Sequence, residues 1–258
     1  MYAFVYSFQA FLLIYIRMHS MFMTAPFFSS AIIPFRTKAA LAFFITLVIF
    51  PVVTADGYTV SANMAQYGLM VLREVAIGVY LGFLSSIVFA AFQLSGQYFA
   101  VQIGFGINEV LDPMSQVSVP IIGQLKNFIG ILVFLYIKGD HFLLSAIYKS
   151  YKLAPAFNVV NGSGDLVRYM VHSFSGMFVI ALKIALPIVA TIFLVTVSEG
   201  VLAKAAPQMN IMMLGFPFKI IIAFSLLAIL SPMIIRIMHV ALERSFTFLS
   251  KVILYWPV

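Results

Sequence analysis

Val75-Ala-Ile-Gly-Val-Tyr-Leu-Gly-Phe-Leu-Ser-Ser-Ile-Val-Phe-Ala-Ala-Phe-Gln-Leu-Ser-Gly-Gln-Tyr-Phe-Ala-Val-Gln-Ile-Gly-Phe-Gly-Ile-Asn108 is a run of 34 residues without a charge, bounded by Glu74 and Glu109. A helix crossing the hydrocarbon core of a bilayer needs about 20 apolar residues, so this run has length to spare. Small residues recur through it. Gly78, Gly82, Ser86 and Ala90 follow one another every four positions, and Gly96, Ala100 and Gly104 do so again. A spacing of four places side chains on one helix face, and small residues on such a face let two helix backbones approach closely in lipid. The stripe is expected to pack against another helix. It speaks of packing, not of catalysis.

The rest of the chain agrees with a membrane setting. Of its 258 residues 63% are hydrophobic and 9% charged, and the mean hydropathy is +1.09. Soluble domains run at about 45–50% apolar and about 25% charged. Too few polar side chains exist to cover a soluble surface, and a disordered chain would be far less hydrophobic. What fits is an integral membrane protein or one chain of an assembly that buries nearly everything. Cysteine is absent, which excludes disulfides, thiolate metal sites and thiol catalysis. The net charge is +7, but the basic residues are scattered. No basic stripe tracks phosphates, so no nucleic-acid partner is expected; the bases suit helix ends anchored at lipid headgroups. The N-terminal segment is apolar before its first basic residue, Arg17. A secretory signal has the opposite order, so the segment reads as retained.

Further hydrophobic runs cover 3–16, 39–55, 127–137, 174–197 and 220–235, with a weaker one at 237–256. Hydropathy alone gives about six membrane helices. Yet the charge-free stretches 1–16, 39–55, 184–198 and 220–235 contain 16, 17, 15 and 16 residues, all short of the ~20 that a span requires. Snorkelling lysines and arginines could extend one such helix. Four in one chain favour an assembly in which helix ends and charges are buried by other subunits. Pro187 lies inside an apolar run, and Pro26, Pro34 and Pro51 punctuate the first third; bent or broken helices are expected. Residues 138–173, with Asn161-Gly162-Ser163-Gly164, read as the main water-facing segment. Counted over six helices, loop bases divide eight to five; the positive-inside rule would put the side with eight, and both termini, in the cytoplasm, but so small a margin leaves the orientation open. The five include Lys38 and Lys126.

Two irregular connectors interrupt the apolar runs. The first is Gly106-Ile107-Asn108-Glu109-Val110-Leu111-Asp112-Pro113-Met114-Ser115-Gln116, where glycine and Asp-Pro defeat a continuous helix. The second runs from Glu199 and Lys204 through Pro207, Gln208, Asn210, Gly215 and Pro217 to Lys219. Irregular backbone at membrane depth survives only when buried in protein or lining a watery cavity. An unpaired charge at depth is costly, so Lys183, Glu199 and Lys204 are expected against protein or trapped water.

Enzyme motifs fail in turn. Gly104-Phe-Gly106 meets Glu109 where a dinucleotide fingerprint needs glycine, and no phosphate loop occurs. Ser95-Gly96 and Ser175-Gly176 lack the glycine two residues before the serine that an intramembrane protease would carry. The four histidines stand far apart, with no metal-binding i,i+4 pair. No catalytic residue, metal site or cofactor is expected. A secondary transporter with broken helices would need inverted repeats, and none is visible; it stands as the alternative function.

At the two connectors the sequence resembles a known family. Gly104-Phe-Gly-Ile…Leu-Asp-Pro-Met-Ser-Gln and Glu199-Gly…Ala-Ala-Pro-Gln-Met-Asn…Gly-Phe-Pro-Phe-Lys are similar to the FliR/SpaR/YscT family of type III secretion export gates, as are Arg17, Ala25-Pro26, Ile33-Pro34, Arg36, Arg73-Glu74 and Gly78…Gly82-Phe83. The Pro-Gln-x-Asn stretch resembles the flagellar branch more than the virulence branch. The resemblance spans nearly the whole chain. It implies an all-α fold of bent hydrophobic helices and helical hairpins, packed into a helical hetero-oligomeric export gate associated with the bacterial inner membrane at the flagellar basal body. Residues 1–258 would form one export-gate domain, its N-terminal part similar to FliP and its C-terminal part to a FliQ hairpin, with a boundary near 170–200. FliP and FliQ would be partners in one complex and FlhB would lie at the cytoplasmic side. Unfolded flagellar subunits would pass through the channel. Residues 106–116 would act as a plug in the closed pore. The chain would be a structural subunit, not an enzyme.

Overall fold

The computed structural model describes residues 2–55, 58, 60, 61, 63–104, 121–153, 159–208 and 211–256. The described residues form seven helices and no strand: α1 Tyr2–Thr24, α2 Phe35–Ala55, α3 Met64–Ile103, α4 Ile121–Tyr136, α5 Gly139–Leu153, α6 Val159–Ala205 and α7 Ile211–Leu254. The plug segment 106–116 and Asn210 lie outside the described residues.

Local chemistry sets the ends. Pro26 follows α1, and the Thr37 N–H donates to the Pro34 carbonyl (3.0 Å) as α2 begins. Asn63 caps α3, its Oδ1 accepting from the Ala65 N–H at 3.0 Å. The same helix stops at Gly104, whose φ of 100° and N–H bond to Ala100 O (3.2 Å) are those of a glycine C-cap. Between α4 and α5 the chain breaks at Lys138, which adopts φ 56°. Asp140 opens α5 and Lys152 closes it, each of the sign that the helix dipole favours.

Six separate membrane helices are not found among the described residues. There, four helices are long and apolar enough to cross a membrane, or five if the bent α4–α5 pair counts as one span. The runs 220–235 and 237–256 fuse into α7, and 174–197 is the middle of the 47-residue α6. Pro187 does not break α6, nor do Pro217 and Pro232 break α7; the Pro187 carbonyl is held by the Thr191 hydroxyl at 2.8 Å. Residues 161–164 lie in the first turns of α6 instead of a turn, because helix growth is cooperative and the apolar run that follows carries it. The second connector shrinks likewise: Glu199, Gly200 and Lys204 belong to α6, and Gly215, Pro217 and Lys219 to α7. Region 138–173 is not simply water-facing, since α5 buries Leu143, Ala146, Ile147, Ser150 and Tyr151. Lys38 and Lys126 are buried within helices rather than standing in loops. The loop-charge count therefore loses two of its loop bases and gives no orientation.

Two compact units interleave along the sequence. The first comprises Met1–Ile87, Leu135–Phe174 and Glu243–Val258. Its interior holds Leu13, Ile14, Met18, Phe22, Ile77, Leu81 and Ile147, with Phe142 stacked on Phe246 at 4.3 Å and Tyr80 edge-on to Trp256 at 5.5 Å. The second comprises Val88–Phe134 and Ser175–Leu242. It buries Phe92, Phe99 and Phe134 from α3 and α4, Ile184, Ile188 and Ile192 from α6, and Ala223 and Met238 from α7.

Coverage of the long helices is uneven. The most apolar window of α3 is 67% buried inside the chain, against 22% in α2, 28% in α6 and 11% in α7. So that window of α3 is largely interior although the first turns of the helix are exposed, while α6 and α7 leave Phe193, Leu194, Val201, Ile221 and Ile229 in the open. At 40 residues, α3 is about 60 Å long and rises about 46 Å even at a 40° tilt. A hydrocarbon core is about 30 Å thick.

Candidate functional site

The first unit is organised around a buried ion pair. Arg17 on α1 and Glu74 on α3 are both occluded. Arg17 Nε and one terminal nitrogen donate to the two Glu74 oxygens, the second bond at 2.9 Å. This is the forked geometry that arginine and carboxylate favour. Tyr58, between α2 and α3, donates its hydroxyl to Glu74 Oε1 at 2.7 Å. Burial, and then the neighbouring Glu74 charge, push the Tyr58 phenol far above its usual range, so it remains a donor. The other Arg17 terminal nitrogen donates to Ser150 Oγ at 2.9 Å, and the guanidinium lies 4.3 Å from the centre of the Tyr151 ring. The Tyr151 hydroxyl donates to Ile14 O at 2.8 Å. Tyr6 accepts from the Val60 N–H at 3.1 Å and donates to Tyr58 O at 3.2 Å. Thus α1, α3, α5 and the Tyr58 segment meet on one neutralised pair, with each charge hydrogen-bonded, as burial demands.

Three glycines of the α3 stripe, Gly78, Gly82 and Gly96, lie at close crossings. A Cβ on Gly78 would collide with Ser20 and the Arg17 carbonyl, and one on Gly82 would stand 2.8 Å from Met21 O. Both are therefore in backbone contact with α1. In the second unit a Cβ on Gly96 would meet Gly123 N at 2.6 Å, and one on Gly130 would enter the Phe92 ring. That is a close crossing of α3 and α4. Ala100 is buried, Ser86 and Gly104 are half-buried, and Ala90 is exposed. Lys126, beside the Gly96–Gly123 contact, is 1% exposed; it donates to Ser95 O at 3.3 Å and lies 5.6 Å from the Phe99 ring centre.

The other predicted residues fall at the α6–α7 hairpin. Lys219 Nζ is 2.8 Å from Glu199 Oε2. A Cβ at Gly215 would come within 2.5 Å of Glu199 Oε1, so glycine makes room for the carboxylate. Lys183, Lys204, Pro207, Gln208 and Pro217 are exposed on the single chain; any protein covering them comes from elsewhere.

Sequence reading did not assemble the Arg17–Glu74 cluster. Its signal was a lone charge, Arg17, interrupting an apolar N-terminal run; such a charge needs a partner, and the nearest acid in sequence does not reveal which one. Nothing marked Tyr58, Ser150 or Tyr151.

Comparison with known proteins supplies the family. The family described as Bacterial export proteins, family 1, matches residues 8–245. The flagellar biosynthetic protein FliR of Bacillus subtilis (strain 168) is 32% identical over 224 residues, 86% of this chain and 86% of that protein. FliR of Escherichia coli (strain K12) is 27% identical, covering 94% of this chain and 92% of its own length. FliR of Aquifex aeolicus (strain VF5) is 26% identical, with 86% and 85% covered. An all-α architecture, long apolar helices and a match over nearly the full length converge: the chain belongs to the bacterial export proteins, family 1, the family of FliR, and is a membrane component of the flagellar export apparatus.

Proposed function

We propose that this chain is a structural subunit of the channel through which unfolded flagellar proteins leave the cytoplasm, built with FliP and FliQ in the inner membrane and flanked by FlhB on the cytoplasmic side. The observation that carries the proposal is the uncovered apolar surface of α6 and α7 in a member of an export family. Lipid could cover part of it. But α3 exceeds a bilayer's thickness at any ordinary tilt, and Lys183 and Lys204 lie exposed among apolar side chains. Neighbouring subunits satisfy both conditions. In this reading the first part of the chain takes the place of a FliP-like subunit and the α6–α7 hairpin that of FliQ, with the changeover near 170–200. The chain performs no chemistry; energy for transport enters elsewhere.

Residues 106–116 close the pore in this proposal. Val110, Leu111 and Met114 are apolar side chains suited to a dewetting barrier, and Glu109 and Asp112 belong at its wet margin. The test is a shortened loop in cells expressing the complete gate. The assembly should form in normal amount while the membrane leaks small ions, and secretion should continue with poorer control. A shortened protein that assembles in a tight membrane would move the seal to the partner subunits.

A further inference from the structure

A cleft of about 310 Å³ opens on the first unit where α3 begins, lined by Val60, Ser61, Gln66, Leu69, Met70 and Arg73. Its size is at the lower end of the range for small-ligand sites. Its chemistry is divided. Ser61 Oγ donates to Gln66 Oε1 at 2.5 Å, which turns the amide oxygen towards Ser61 and leaves the amide NH2 as a donor. Arg73, a half-buried residue, adds a guanidinium. It already has a partner within the chain, but a planar fork of five donors can serve a second acceptor. Val60, Leu69 and Met70 make the walls apolar. From Leu69 an uncovered strip continues along α3 through Leu72, Ala76 and Val79. These positions follow at helical spacing on one face, and Leu69 and Leu72 are 62% and 67% exposed.

A cation and an amide donor at one end of an exposed hydrocarbon track match one kind of molecule: an amphiphile with an anionic head. We propose that this cleft binds an anionic phospholipid, with the phosphate on Arg73 and Gln66 and an acyl chain along Leu69, Leu72 and Val79. The forked guanidinium suits a phosphodiester. The strip supplies what a free phosphate would not use, and the cleft supplies what a purely apolar protein surface would not need.

The test uses the full chain purified with its partner subunits, stripped of lipid in detergent, then given phosphatidylglycerol carrying a photoreactive acyl chain. Adducts are expected on residues 66–79. Arg73→Gln should cut their yield about tenfold, the loss of one charge-assisted contact, while Arg73→Lys keeps part of it and Lys149→Gln changes nothing. The same photoreactive chain on phosphatidylcholine should label more weakly, and inorganic phosphate should not compete. Equal labelling by the two lipids, or undiminished labelling of Arg73→Gln, would overturn the proposal. Competition by inorganic phosphate would make the cleft a free-anion site. A photoreactive residue at position 69 that captures a protein subunit, with no lipid adduct on α3, would assign the strip to an interface. If Arg73→Gln does not assemble, the comparison of the two lipids on the unaltered protein decides alone.

Discussion

Arg17 and Glu74 stand 57 residues apart in sequence and share one buried site. Burying either charge alone costs far more than burying the pair. Arg17→Met would strand the Glu74 carboxylate, and Glu74→Leu would strand the guanidinium. Each single change should lower stability by about 3–5 kcal/mol, whereas Arg17→Met with Glu74→Leu should recover most of the loss. Thermal unfolding of the purified protein in one detergent checks this; a double variant no more stable than the singles would contradict it. Tyr58→Phe removes one hydrogen bond to a charged group and should cost about 1.5–3 kcal/mol. The glycines sort by what faces them. Gly82→Leu would drive α1 and α3 apart, so little folded protein should be recovered. At Gly200 an added side-chain carbon would find nothing within 4 Å, and Gly200→Ala should stabilise α6 by about 0.5–1 kcal/mol. If Gly82→Leu were recovered as readily as Gly200→Ala, the α1–α3 contact would not be close.

At the scale of elements, the sequence reveals type more readily than extent. The long uncharged run announces α3, and spacing of four places Gly78 and Gly82 on one face. A spacing of four drifts about 40° per step around a 3.6-residue helix, so the stripe turns away from its neighbour: Gly78 and Gly82 are buried, Ser86 half-buried and Ala90 exposed. Prolines mislead as well. Pro187 and Pro217 look like breaks, but long helices carry on through them; the missing Pro187 N–H frees the Lys183 carbonyl four residues back, a loss a long apolar helix tolerates. Lys126 reads as a loop base because a lone charge beside an apolar run resembles an end; its aliphatic stem and a single backbone acceptor let it sit inside. The Glu199–Lys219 pair was visible as two residues but not as a pair, because helical continuation of α6 and α7 brings them together. That pair is partly exposed, so it contributes little stability alone. Exchanging the two charges, Glu199→Lys with Lys219→Glu, should preserve the hairpin better than Lys219→Glu by itself. Limited proteolysis at 205–210 measures this: faster cleavage in the single variant is expected, and equal cleavage in both would deny the pair a role.

For the whole molecule, composition already demanded a cover that the chain does not provide for itself. Only 11% of the apolar window of α7 is buried inside the chain, and Leu194, Val201, Ile221 and Ile229 are exposed; in the proposed reading other subunits cover them. The chain's lack of cysteine makes single introduced cysteines at these positions clean reporters of such contacts. The most direct measurement is the native mass of the complex purified through a tag on this chain. The account predicts one copy of the chain in a large complex with several FliP and FliQ subunits. A monomer or small homo-oligomer, recovered from cells that export flagellar proteins normally, would contradict it.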